Sequence, residues 1–119
     1  LIITVENVMD DEPYMMVKMM ERITNPNIRL CFDVGHAACI SDVPVLEWLD
    51  AMAPYLGHIH IHNNDGTHDW HKPIFDGKVD METFLDKVIE LCDPDTTITI
   101  ESLEGISSME WLKEKGYLG

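Results

Sequence analysis

The stretch Ile28-Arg29-Leu30-Cys31-Phe32-Asp33-Val34-Gly35-His36 decides how the rest of the chain is read. A short, largely apolar run gives way to a carboxylate, then to a glycine and an imidazole. Runs of this kind, bounded by polar residues, read as buried strands. A cation-binding residue at the exit of such a strand puts chemistry at its C-terminal tip. The arrangement recurs three times: Ile2-Ile3-Thr4-Val5 ends at Glu6, Ile59-His60-Ile61-His62 carries its own imidazoles, and Thr97-Ile98-Thr99-Ile100 ends at Glu101. Two Glu, one Asp and one His at successive strand ends make a donor set for a hard or borderline divalent cation.

Helical signals separate these strands. Asp10-Asp11-Glu12-Pro13 supplies capping and first-turn chemistry, and residues 13–24 place Met16, Met19, Met20 and Ile23 at helical spacing. Met9, Met15, Met16, Met19 and Met20 accordingly read as helix packing. Asn25-Pro26-Asn27 is a turn. Ser41-Asp42-Val43-Pro44 opens a second predicted helix running to Tyr55, with Val45, Leu46, Leu49, Met52 and Ala53 on one face and Gly57 ending it. The third strand is predicted over 58–62, followed by a polar loop over 63–78. Asp80 caps a third helix whose buried side is predicted to hold Phe84, Leu85, Val88, Ile89 and Leu91. Asp93-Pro94-Asp95 breaks it, and Ser107-Ser108 is predicted to cap a last helix ending near Lys115.

A β-α unit repeated four times predicts an α/β fold of parallel strands joined by right-handed crossovers. Four units make either a small open sheet or the C-terminal half of a TIM (β/α)8 barrel, and active residues in both gather at the C-terminal strand ends. Leu1 already lies inside the first predicted strand, so residues 1–119 are expected to form a single partial barrel domain, strands 5 to 8 with their helices. An unclosed half-barrel with an apolar concave face would self-associate as a homodimer or bind the missing N-terminal half.

Composition narrows the function classes. Eight basic residues against 22 acidic ones give a net charge of −14, which disfavours nucleic-acid phosphates and anionic membranes. No apolar run reaches the ~18 residues of a membrane span. Cys31, Cys39 and Cys92 are odd in number and lack metal-type spacing, as expected of reduced thiols in a cytoplasmic protein.

The ordered set Ile3-Thr4-Val5-Glu6-Asn7, Cys31-Phe32-Asp33-Val34-Gly35-His36, Gly57-His58-Ile59-His60-Ile61-His62-Asn63-Asn64-Asp65-Gly66, Asp69-Trp70-His71 and Ile98-Thr99-Ile100-Glu101 resembles the C-terminal half of the xylose isomerase-like (β/α)8 superfamily. That group includes sugar phosphate isomerases/epimerases, tagatose epimerase-like enzymes and the endonuclease IV branch, AP endonuclease family 2. The resemblance implies that Glu6, Asp33, His60 and Glu101 bind one divalent metal ion (Mn, Co, Mg or Zn). It implies further that Glu6 and Glu101 are catalytic, moving a proton on opposite sides of a carbohydrate or sugar phosphate by way of an enediolate. His36, Asp69 and His71 would bind substrate.

An alternative within the same resemblance is an endonuclease IV-like zinc phosphodiesterase acting on abasic DNA, in which His36, Asp69 and His71 hold an additional zinc. The acidic balance favours the small-molecule reading. A different class of reading is an inactive fragment serving only as a folding or assembly unit. Two departures bear on the pocket loop: Asn63 stands where many members have Asp, and Phe75 where a Gly is usual.

Each residue also has a plainer reading. Glu6 and Glu101 could be solvated strand-end carboxylates, and Asp33 could simply fix a turn. The alternation puts His58, His60 and His62 on one strand face, where only one need be a ligand. His58 reads as a packed or surface histidine, and His68 and His71 as loop residues exposed to solvent. Trp70 either lines a sugar pocket or covers the loop.

Overall fold

The four predicted strands are β1 (Ile3–Glu6), β2 (Ile28–Asp33), β3 (Leu56–Ile61) and β4 (Thr97–Ile100) of a computed structural model covering residues 1–119. All neighbours pair in parallel, in the order β1-β2-β3-β4. Because sequence order equals spatial order, every crossover steps the same way, as in a barrel. A doubly wound open sheet would reverse direction at a switch point. The chain is therefore an α/β wedge with the topology of half a (β/α)8 barrel.

The connecting helices are α1 (Tyr14–Glu21), α2 (Val34–Ile40), α3 (Val45–Met52), α4 (Met81–Leu91) and α5 (Gly105–Glu114). Residues 41–55 do not form one helix from Ser41. α3 begins at Val45 and ends in a 3-10 turn at Ala53–Tyr55, and it is preceded by α2, which the spacing of apolar residues does not reveal. Val34, Gly35, Ala37 and Ala38 of α2 are all buried, so the segment lacks the polar stripe that marks an amphipathic helix. Ser41 instead works between the helices. Its hydroxyl donates to the Asp11 carbonyl at 2.6 Å and accepts from the Val43 N–H and from Trp48 Nε1. Gly57 lies within β3 rather than ending a helix, and a Cβ there would stand 2.8 Å from Arg29 Cβ.

Two further expectations change. Ser107-Ser108 does not cap α5: the helix starts at Gly105 after Glu104, and Ser108 is buried within it, accepting the Ile74 N–H at 3.2 Å. On α4, Asp80 caps as expected by accepting the Thr83 N–H, and Phe84, Leu85 and Val88 are buried. Ile89 and Leu91, however, are 71% and 38% exposed. Ile89 borders an apolar recess of about 240 Å³ beside β4 that no further element of the chain covers. Of the methionine group, Met16 and Met20 pack inward while Met9, Met15 and Met19 stay exposed.

The core lies between the outer faces of the central strands and the helices. Phe32 stacks on Trp48 at 5.8 Å and tilts against Phe84 at 5.9 Å. Each large apolar side chain buried this completely contributes roughly 1.5–3 kcal/mol. The edge strands are barer, with Ile3 and Ile98 exposed on their outer flanks.

The concave face is not apolar as expected. Side-chain alternation gives it Thr4, Arg29, Cys31, His58, Thr97 and Thr99 together with the strand-end carboxylates. His58 bridges Thr97 and Thr99 through hydrogen bonds of 2.6 and 2.9 Å, and burial together with neighbouring His60 pushes its pKa down. It is a packed histidine, not a ligand of the strand-end site. Cys31, Cys39 and Cys92 are free thiols, and no helix is long and apolar enough to cross a membrane.

Candidate active site at the strand ends

Asp33 ends β2 with no solvent exposure. Asn7, just past β1, clamps its backbone from both sides: Asn7 Nδ2 donates to the Asp33 carbonyl at 3.0 Å, and the Asp33 N–H donates to Asn7 Oδ1 at 2.8 Å. The carboxylate is divided in function. Oδ1 accepts the His36 N–H, capping α2, and also pairs with His62 Nε2, both at 2.8 Å. Oδ2 is buried and has no hydrogen-bond partner. Burial works to raise the Asp33 pKa, but the His62 bond and charge, with the His36 N–H, outweigh it and hold the group below the ordinary aspartate value. Fixing a turn and serving a site are thus carried by two oxygens of one residue.

The orphaned oxygen faces His60, whose Nδ1 lies 3.5 Å from it. The same nitrogen is 3.3 Å from Glu6 Oε1 and 3.5 Å from Glu101 Oε1. Glu6, Asp33 and His60 bring donor atoms within 4.8 Å of one another; Glu101 reaches the same His60 nitrogen but groups by that measure with His62 and His71. Three carboxylates and one imidazole suit a hard or borderline divalent cation. An unsatisfied buried carboxylate oxygen aimed into the cluster is what such an ion would neutralise, so the residues fit the group. Cys31 lies beside them, but burial first, then Glu6, Asp33 and Glu101, push its thiol up to about 12 and keep it neutral.

A second cluster sits above. Asp69 Oδ2 is 3.3 Å from His36 Nε2 and 3.2 Å from His71 Nε2, so the three residues expected to bind substrate do meet. The His36 ring is set by Nδ1 donating to the Asn7 carbonyl at 2.7 Å. His71 Nδ1 donates to the Glu101 carbonyl at 2.7 Å. His71 is not the freely exposed loop residue of its plainer reading. Its φ of 53° is left-handed, uncommon outside glycine although histidine adopts it more readily than most residues, and its ring lies flat on His62 at 3.9 Å. Burial works to lower its pKa; the Glu101 carbonyl and the Asp69 carboxylate prevail and raise it. Trp70 remains half exposed, its ring 5.1 Å from that of His68.

Three residues near the site have no role in the sequence reading. Asn7 gives no signal beyond following Glu6. His62 is visible in the histidine alternation, but only burial and the Asp33 contact separate it from its neighbours. Asn63, at the position where Asp is usual, donates to the Ile74 and Val79 carbonyls while its Oδ1 accepts the Val79 and Asn64 N–H groups. A carboxylate could not donate either of the first two bonds. Gly77 approaches so closely that a Cβ would lie 2.3 Å from Asn63 Oδ1. Phe75 turns toward Trp111 at 6.5 Å, away from the strand-end carboxylates.

A singly wound parallel sheet with carboxylates and imidazoles gathered at its C-terminal edge has the architecture of half a (β/α)8-type barrel. The profile of the xylose isomerase-like TIM barrel family matches residues 2–115, and the chain belongs to that family. It is 29% identical over 106 residues to the uncharacterized protein MJ1311 of Methanocaldococcus jannaschii, covering 86% of this chain and 36% of that protein. The solved structure of a D-tagatose 3-epimerase-like protein superposes with a TM-score of 0.81 at 26% identity, over 96% of this chain and 46% of the other. The TTHB071 protein of Thermus thermophilus, solved after soaking with ZnCl2, shares the fold at a TM-score of 0.77 and 23% identity, over 98% and 45%. The chain thus spans less than half the length of each of these relatives.

Proposed function

We propose that residues 1–119 supply strands 5 to 8 of a metal-dependent isomerase or epimerase acting on a sugar or sugar phosphate. One observation carries this reading: Glu6 and Glu101, from opposite edges of the sheet, approach the same His60 nitrogen at 3.3 and 3.5 Å. Epimerisation requires one group to take a proton from carbon and another to return it on the other side. A divalent cation (Mn, Co, Mg or Zn) held by Glu6, Asp33, His60 and Glu101 would polarise the substrate carbonyl and stabilise enediolate charge. Glu6 and Glu101 move the proton. His36, steadied by Asn7, offers Nε2 to a substrate hydroxyl beside Asp69 and His71. Likeness to a D-tagatose 3-epimerase-like protein supports this substrate class.

With its barrel completed, the protein should exchange a carbon-bound proton of a ketose with deuterated solvent, read by NMR across a panel of ketoses and ketose phosphates. A second reading, a zinc phosphodiesterase, draws on the Asp69 contacts to His36 and His71. Nicking of abasic DNA without exchange on any ketose would favour it, against the −14 net charge. The free thiols are in keeping with a cytoplasmic setting. The bare outer flanks of β1 and β4 support a partner there, either a second copy or the N-terminal half of a barrel. A third reading is an inactive fragment serving only as a folding or assembly unit.

A further inference from the structure

We propose that His62 is a positioning residue for the cation pocket and that Gly35 is its seat. The proposal rests on the cation-binding reading above and concerns a residue that reading leaves idle. His62 lies just beyond β3 and has no solvent exposure. A buried imidazole is costly unless its nitrogens are used. Nε2 is used, donating to Asp33 Oδ1 at 2.8 Å. Nδ1 makes no hydrogen bond and lies 3.6 Å from Asp69 Oδ1. One ring face is covered by His71, nearly parallel at 2°, and the His36 ring stands edge-on at 5.9 Å. A single ring therefore touches both the strand-end carboxylate and the overlying histidines.

The consequence falls on Asp33. Two N–H groups hold Oδ1 and so set the plane of the carboxylate about its Cβ–Cγ bond. Oδ2 is then fixed facing His60 Nδ1 at 3.5 Å. Without His62, only the His36 N–H would restrain the group. Gly35 makes this possible by having no side chain: a Cβ there would lie 2.0 Å from His62 Cε1. The glycine of Asp33-Val34-Gly35-His36 is required by this ring contact, not by any unusual backbone angle.

The test uses the 119-residue chain, with Mn²⁺ affinity by calorimetry, the Co²⁺ absorption spectrum, and thermal melts as a check on folding. His62→Phe fills the volume without an N–H, His62→Gln keeps a donor near Nε2, and Gly35→Ala displaces the ring without removing it. His62→Phe and Gly35→Ala should weaken Mn²⁺ binding by about tenfold to a hundredfold and alter the Co²⁺ spectrum, while His62→Gln stays within about threefold of the parent. Folded His62→Phe with parental affinity and spectrum would overturn the proposal. If His62→Phe does not fold, the other two decide: weak Gly35→Ala beside near-parental His62→Gln upholds it, and parental affinity in Gly35→Ala overturns it. Asp33→Asn and His60→Ala test the cation reading separately. If these bind Mn²⁺ as the parent does, that reading falls and takes the role of His62 with it.

Discussion

The central strands and the edge strands supply the site in different ways. Asp33 and His60 come from β2 and β3, whose outer faces carry Leu30, Phe32, Ile59 and Ile61 packed into the core. Glu6 and Glu101 come from β1 and β4, whose flanking Ile3 and Ile98 remain exposed. The Asp33 side chain has 0% exposure and several partners, whereas those of Glu6 and Glu101 are 32% and 36% exposed. Half of the donor set is fixed by the core, and half is carried on edges that depend on whatever packs beside them. The site's rigidity is therefore graded across the sheet, from its middle outward.

Asp33→Ala should produce the largest effect. It removes a ligand and strands the His62 and His36 donors, so Mn²⁺ binding should be lost and stability should fall by about 3 kcal/mol. Calorimetry and urea denaturation would measure the two losses, and a stability change comparable to that of an edge mutant would erase the central–edge distinction. Glu6→Gln and Glu101→Gln should weaken Mn²⁺ by about tenfold while shifting stability by no more than about 0.5 kcal/mol.

Next in size is association through the bare flanks. The chain should self-associate in sedimentation equilibrium, and Ile3→Lys with Ile98→Lys should shift it toward monomer. A stable, cooperatively melting monomer of the parent chain would show that the edges need no cover.

The smallest effect is a pair of opposed pH responses in metal-free protein. Asp33 has a lowered pKa, so its contribution is present above the ordinary aspartate value and lost as pH falls through its folded value. His71 has a raised pKa, so its contribution is complete below the ordinary histidine value and lost as pH rises through its folded value. Amide exchange should thus quicken around the β2 exit in acid and around residues 68–72 as pH rises above the ordinary histidine range. NMR titration placing His71 below about 6.5 would contradict the assigned balance.

The sequence alone determined the strands, their parallel pairing and the strand-end positions of Glu6, Asp33 and Glu101, whereas His60 was singled out of the histidine alternation only by family resemblance. Each of the first three follows from a local pattern: an apolar run that must be buried, and a polar residue at its exit. Asp80 before α4 was legible for the same reason, since capping needs only neighbours in sequence. α2 was not, because a short helix buried over most of its length, with an exposed apolar Ile40, has no periodic polar stripe to display. The exposure of Ile89 and the polarity of the concave face also escaped, because which side of an element meets solvent depends on partners elsewhere in the fold. His62, Asn7 and Asn63 were decided only by tertiary structure. Their work is done through hydrogen bonds to residues such as Asp33, Ile74 and Val79, and no spacing rule brings those groups together. Strand ends announce donors along the chain, but the orientation of each donor is set by side chains that only the closed sheet makes neighbours.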